Sequence, residues 1–256
     1  MSGPVRLHHV VDGSAQAPAV VLLPSLGATH EMWAPQALAL RDRLRVVRVD
    51  ARGHGRSPVP EGPYEIDDLV GDVVRLLDEL GVARAHLVGL SLGGMTAMRL
   101  AALRPDRVAR MVLLCTSSRL GPASAWAERA QTVLTEGTGA VAGTVVARWF
   151  TPDFAEQHPS VVERCAQMIR DTPAPGYAAC CGAIERMDLT GSLPLIQAPT
   201  LVVAGEQDPA TPPDHLRVIA DAVRGARFEL LSPAAHLANL EQPDRVSELV
   251  RNHLTT

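Results

Sequence analysis

The chain has 256 residues, 46% of them hydrophobic and 20% charged, so it is long enough to bury one substantial core and has ordinary globular composition. A formal charge of −4 removes the basic face that a phosphate backbone requires, and no nucleic-acid partner is expected. No stretch approaches the apolar length of a membrane span, and Met1–Arg6 has no signal core, so a cytoplasmic location with no membrane partner is expected. Cys115, Cys165, Cys180 and Cys181 include no Cys-x-x-Cys pair and fit a reduced compartment. Neither a metal-ligand cluster nor a dinucleotide fingerprint is present, so no cofactor and no metal are expected.

Taken in chain order, Val5–Val11 is the only material for an edge hairpin before Asp12-Gly13, so the first edge strand is expected to be absent or very short. Ala19–Leu23 reads as a buried strand and runs into Pro24-Ser25-Leu26-Gly27-Ala28. A second apolar run, Leu44–Asp50, precedes the turn Arg52-Gly53-His54-Gly55-Arg56-Ser57. A helix over Asp67–Leu80 follows, with Leu69, Val73, Leu76, Leu77 and Leu80 on one face. Ala85–Leu90 is a strand that passes through Gly89-Leu90-Ser91-Leu92-Gly93 into a helix carrying Met95, Met98, Leu100 and Ala101. Arg110–Cys115 closes this half. Residues 119–190 lose the alternation and look helical, and Thr200–Gly205 and Phe228–Leu231 then resume it.

Strands alternating with helices over short connections imply an α/β fold, a mostly parallel sheet covered by helices on both faces. The core is expected over 1–118 and 191–256. The segment 119–190 is expected to form a helical lid, inserted after strand 6 and covering the C-terminal ends of the strands, where ligands bind in such sheets.

The chemistry concentrates at Ser91. Gly-x-Ser-x-Gly between a strand and a helix is a nucleophile elbow, a turn so tight that Gly89 and Gly93 must lack a Cβ. A serine at neutral pH needs a base, and the base needs an orienting carboxylate, in the chain order Ser, acid, His. Among the late histidines, His253 lies in a helical tail and His215 opens a helix. His236 is on a loop after a strand and is the expected base. The acid should follow the preceding strand, where Glu206 and Asp208 both stand. Asp208, before a proline, is preferred, and Asp214 reads as a helix N-terminal residue. An oxyanion hole needs two backbone N–H donors; Leu92 at the helix start supplies one, and Leu26 by position the other.

With Ser91, Asp208, His236 and Asp50-x-Arg52-Gly53-x-Gly55-x-Ser57 in place, the chain resembles the α/β-hydrolase superfamily end to end. More narrowly it resembles the 3-oxoadipate enol-lactonases. The resemblance is carried by Arg52–Pro60 with Gly62-Pro63-Tyr64, by Gly89–Met95, and in the lid by Arg148-Trp149-Phe150-Thr151-Pro152 and Gly176–Cys181. It implies a small anionic lactone as substrate and no cofactor. The fused carboxymuconolactone decarboxylase domain of some relatives is not expected here. A cation should meet the substrate carboxylate, with Arg148 beside Trp149 the first choice and Arg119 the second. Arg52 is expected to brace its turn, and His54 carries no assigned role. The alternatives on this fold are another small-ester esterase, a perhydrolase, a C–C bond hydrolase, or a non-catalytic ligand sensor. Oligomeric state is left open.

Overall fold

The computed structural model describes residues 3–255. Among them a seven-stranded sheet forms from β1 (His9–Asp12), β2 (Ala19–Leu23), β3 (Arg45–Val49), β4 (Ala85–Leu90), β5 (Val108–Leu114), β6 (Thr200–Gly205) and β7 (Arg227–Leu231). The spatial order is β1-β3-β2-β4-β5-β6-β7, with β1 antiparallel to β3 and every other pair parallel. β2 and β6 are buried at every position, which is why they read as unbroken apolar runs. The outer strand β7 instead is buried only at Leu231, and Arg227 and Glu229 pair along it, a charged edge that discourages strand addition.

The edge hairpin is reduced to one short strand. Before β1 the chain is held by side chains: the Val5 N–H donates to Asp72 Oδ1 at 2.7 Å and the His8 N–H to Ser57 Oγ at 2.9 Å. Because that hairpin contributes a single strand, the helical insertion follows the fifth strand, not the sixth as expected. The long early helix runs Ile66–Glu79, one residue ahead of the apolar periodicity, because Glu65 and Asp68 close a reciprocal capping box at its start.

Five helices fill the insertion: Ala123–Glu136, Gly139–Val146, Pro152–Gln157, Pro159–Arg170 and Ala174–Arg186. They meet the scaffold at several points, and one is a close backbone approach. Gly53 in the Arg-Gly-His-Gly turn lies so close to Gly176 that a Cβ on Gly53 would come within 2.6 Å of the Gly176 Cα. No helix among the described residues is long and apolar enough to cross a membrane.

The strand order reverses between β2 and β4, and loops at such a point diverge to leave a crevice at the strand ends. Residues 24–28 follow β2 and Ser91 follows β4, so the two loops stand side by side. The loops after β6 and β7, further along the half of the sheet that holds β4, bring Thr211 and His236 to the same cavity as Ser91.

Candidate active site

Ser91 sits at φ 54°, ψ −116°, a conformation an L-residue adopts only when its surroundings impose it. The surroundings are visible. A Cβ on Gly89 would overlap the Gly93 carbonyl, and one on Gly93 would overlap the Leu23 carbonyl. The elbow therefore closes only with glycine at both places. Its backbone is pinned from the neighbouring strand, the Ser91 N–H donating to Leu114 O at 3.1 Å and Thr116 Oγ1 to Ser91 O at 2.7 Å.

His236 and Asp208 meet although 28 residues separate them, with His236 Nδ1 2.8 Å from Asp208 Oδ2. The carboxylate also accepts the Thr211 hydroxyl at 2.6 Å on Oδ2, and the N–H groups of Ala210 and Thr211 at 2.8 and 3.0 Å on Oδ1. Burial alone would raise the Asp208 pKa, but the charge and hydrogen bond of His236, with those of Thr211, hold it below the ordinary carboxylate value. With Nδ1–H committed to Asp208, His236 has Nε2 left to accept a proton. Glu206, the other acid considered, reaches the Ser232 hydroxyl at an exposed position and takes no part.

Ser91 and His236 line one cavity of 260 Å³ under the lid. Leu26 lines it too, and its N–H has no partner among the described residues. Leu92 is the first residue of the helix Leu92–Leu103, so its N–H lies outside the intrahelical ladder and the helix dipole favours negative charge there. Arg148, Trp149 and Arg129 line the same cavity. Neither arginine forms an ion pair among the described residues, and Arg148 Nε is buried with no hydrogen bond. Burial pushes the Arg148 pKa down and the like charge of Arg129 pushes it the same way, although an arginine stays charged. The Tyr177 hydroxyl is buried between them without a well-aligned hydrogen bond. Arg119, in contrast, lies outside the cavity: its side chain is 74% exposed and faces Asp188 at 3.7 Å, at the base of the insertion.

Several supporting residues escaped the sequence reading. Glu241 ties the histidine loop to the lid, accepting the Ala235 N–H on one oxygen and the Thr151 N–H (2.8 Å) and hydroxyl (2.7 Å) on the other. The Leu237 N–H donates to Trp149 O at 2.8 Å. Arg52 is a brace, as expected, fully buried and held by both Asp72 oxygens at 2.6 and 2.7 Å. Away from the cavity, His8 and His30 flank Asp50, the one convergence of metal-ligand side chains among the described residues. That carboxylate already accepts both imidazole Nδ1 groups and the N–H groups of His30 and Arg56, all at 2.8–3.0 Å. Its oxygens are satisfied, and the group reads as a staple joining three segments.

A sequence profile described as the α/β hydrolase fold matches residues 18–243. The chain belongs to the α/β-hydrolase family. Within that family it is 38% identical to 3-oxoadipate enol-lactonase 2 of Acinetobacter baylyi, over 96% of this chain and 92% of that one. It superposes on the crystal structure of the enol-lactonase from Burkholderia xenovorans with a TM-score of 0.96 and 43% identity, covering 98% and 96% of the two chains. A candidate carbamate hydrolase, RutD of Variovorax paradoxus, is 34% identical over 90% of this chain and 89% of that one. This α/β hydrolase is an ester-hydrolysing enzyme.

Proposed function

We propose that this hydrolase opens 3-oxoadipate enol-lactone to 3-oxoadipate through an acyl-enzyme, with Ser91 as nucleophile, His236 as base and Asp208 as its orienting acid. The observation that carries the reading is the pairing of that triad with two carboxylate-free arginines, Arg129 and Arg148, across one small cavity. A neutral ester needs no such cations; a lactone bearing a carboxymethyl arm does. The relatives named as enol-lactonases support the same choice.

In this mechanism Ser91 Oγ attacks the lactone carbonyl while His236 Nε2 takes its proton. The tetrahedral oxyanion sits on the Leu26 and Leu92 N–H groups. Collapse breaks the ring C–O bond, and the departing enol oxygen takes the proton from His236. The enol tautomerises to the ketone on the acyl chain. Water, deprotonated by His236, then attacks the acyl carbon and releases 3-oxoadipate, and the proton returns to Ser91. The lid, residues 119–190, supplies the arginines that hold the arm.

The test is kcat/KM for the enol-lactone, generated in situ, against p-nitrophenyl acetate in wild type and Ser91→Ala. Fast lactone hydrolysis, weak acetate cleavage and loss of both in the variant support the proposal. Acetate cleavage with the lactone untouched rejects it. The RutD likeness favours a second reading, hydrolysis of a small carbamate. Under it, carbamate turnover would exceed lactone turnover and would not depend on Arg148.

A further inference from the structure

We infer that His54 is a positioning residue for the oxyanion hole, its imidazole fixing the loop that carries the Leu26 N–H. The inference rests on the reading of Ser91 as nucleophile and Leu26 as donor.

His54 is fully buried and is not part of the cavity lining. Its Nδ1 stands 3.0 Å from the Arg52 carbonyl oxygen, which can only accept, so Nδ1 carries the proton. Nε2 is then an acceptor, and it takes the Gly27 N–H at 2.9 Å. The two contacts define a single tautomer. Burial holds the His54 pKa below the ordinary histidine value, against smaller opposing effects of the Arg52 carbonyl and Asp50. The ring is therefore neutral and keeps its acceptor at neutral pH.

Gly27 follows Leu26 directly, so the peptide plane that aims one N–H also constrains its neighbour. Its φ is +79°, and a Cβ there would come within 3.1 Å of both Ile169 and Tyr177 in the lid. The loop is held both by the lid and by one imidazole. The imidazole is fixed in turn: Arg52, whose carbonyl holds Nδ1–H, is anchored through its guanidinium to Asp72 on the helix Ile66–Glu79. Without the Nε2 acceptor the Gly27 N–H would be buried and unsatisfied, and the peptide would turn to find a partner. An oxyanion donor acts only when aimed at the place where charge develops, so such a turn is felt in the transition state and little in substrate binding.

The variants are His54→Leu, which removes the acceptor, and His54→Gln, whose amide oxygen can take the Gly27 N–H. Should His54→Leu not fold, His54→Asn, too short to reach Gly27, replaces it. Turnover of p-nitrophenyl acetate and of the enol-lactone is measured with thermal melting and with affinity for a phenylboronic acid, which forms a tetrahedral adduct on the serine. His54→Leu should lose about 10- to 100-fold in kcat. Its KM should stay within about threefold, and boronate affinity should fall in step with kcat. His54→Gln should recover most of the kcat even if its melting temperature stays low. A merely structural histidine would lower the melting temperature of both variants and leave kcat per folded enzyme unchanged, which overturns the inference. If wild type cleaves the acetate and not the lactone, the substrate assignment falls while the His54 comparison is still read on the acetate.

Discussion

The loops at the strand ends and the helices above them solve different problems with different residues. At the strand ends, geometry is forced by the backbone: Ser91 is held at positive φ, and Gly89 and Gly93 stand where no side chain fits. In the lid, nothing about the backbone singles out Arg129 or Arg148; what marks them is that neither has a carboxylate partner among the described residues while both line a common cavity. Under the proposed function, the contrast puts reaction type in steric constraint and substrate choice in unpaired charge. Substitutions in the two regions should therefore fail differently, the first in kcat for every ester and the second in KM for anionic ones.

The largest effect is expected from Ser91→Ala, which should lower kcat by about 10⁶-fold on any substrate, because the other triad members cannot act alone. Asp208→Asn should cost about 10⁴-fold in kcat by turning the His236 tautomer the wrong way, with folding intact by circular dichroism. A smaller, substrate-selective loss should follow Arg129→Met. Losing a hydrogen bond to a charged group costs about 1.5–3 kcal/mol, or roughly a 10- to 100-fold rise in KM for the lactone, while acetate cleavage should be unmoved.

Outside both regions, Asp50 supplies a stability test. Burial would raise its pKa, but the side chain and backbone of His30, with the Arg56 N–H, bring it down from 3.8 to about 2. Its folded-state pKa is depressed, so its contribution is full above the unfolded value and is lost as pH falls through the folded one. That contribution is roughly 2 kcal/mol. Asp50→Asn should melt well below wild type at pH 7, and the gap should close between about pH 4 and pH 2. The smallest effect is expected at Arg119, exposed and outside the cavity, where Arg119→Ala should change lactone KM by less than about twofold.

The fold, and the elbow, acid and histidine of the proposed triad, are legible because their signals are local. A strand running into Gly-x-Ser-x-Gly, an acid after one apolar strand and a histidine after the next are each contained in a dozen residues. What stayed hidden depends on contacts across the chain. Glu241 matters because it meets Thr151, 90 residues away, and Thr211 because the loop folds back on Asp208. Arg148 stood out beside Trp149, whereas Arg129 sits mid-helix among small and polar residues, and only packing turns it inward with its guanidinium over the Trp126 ring at 4.6 Å. Arg119 is the second choice in sequence, and the antiparallel bridge between Arg119 and Asp188 places it at the base of the lid. The sequence implies a reduced edge hairpin, as the fold has it, but counts the insertion after the sixth strand where it follows the fifth.

The most direct measurement of the central claim is the ratio of kcat/KM for the enol-lactone to that for p-nitrophenyl acetate, in wild type and in Arg148→Met. The account predicts that the ratio falls by about 10- to 100-fold through the lactone value alone, with acetate cleavage within about twofold of wild type. Equal losses on both substrates, or no loss on either, would contradict it, and the lid arginine would have no part in choosing the substrate.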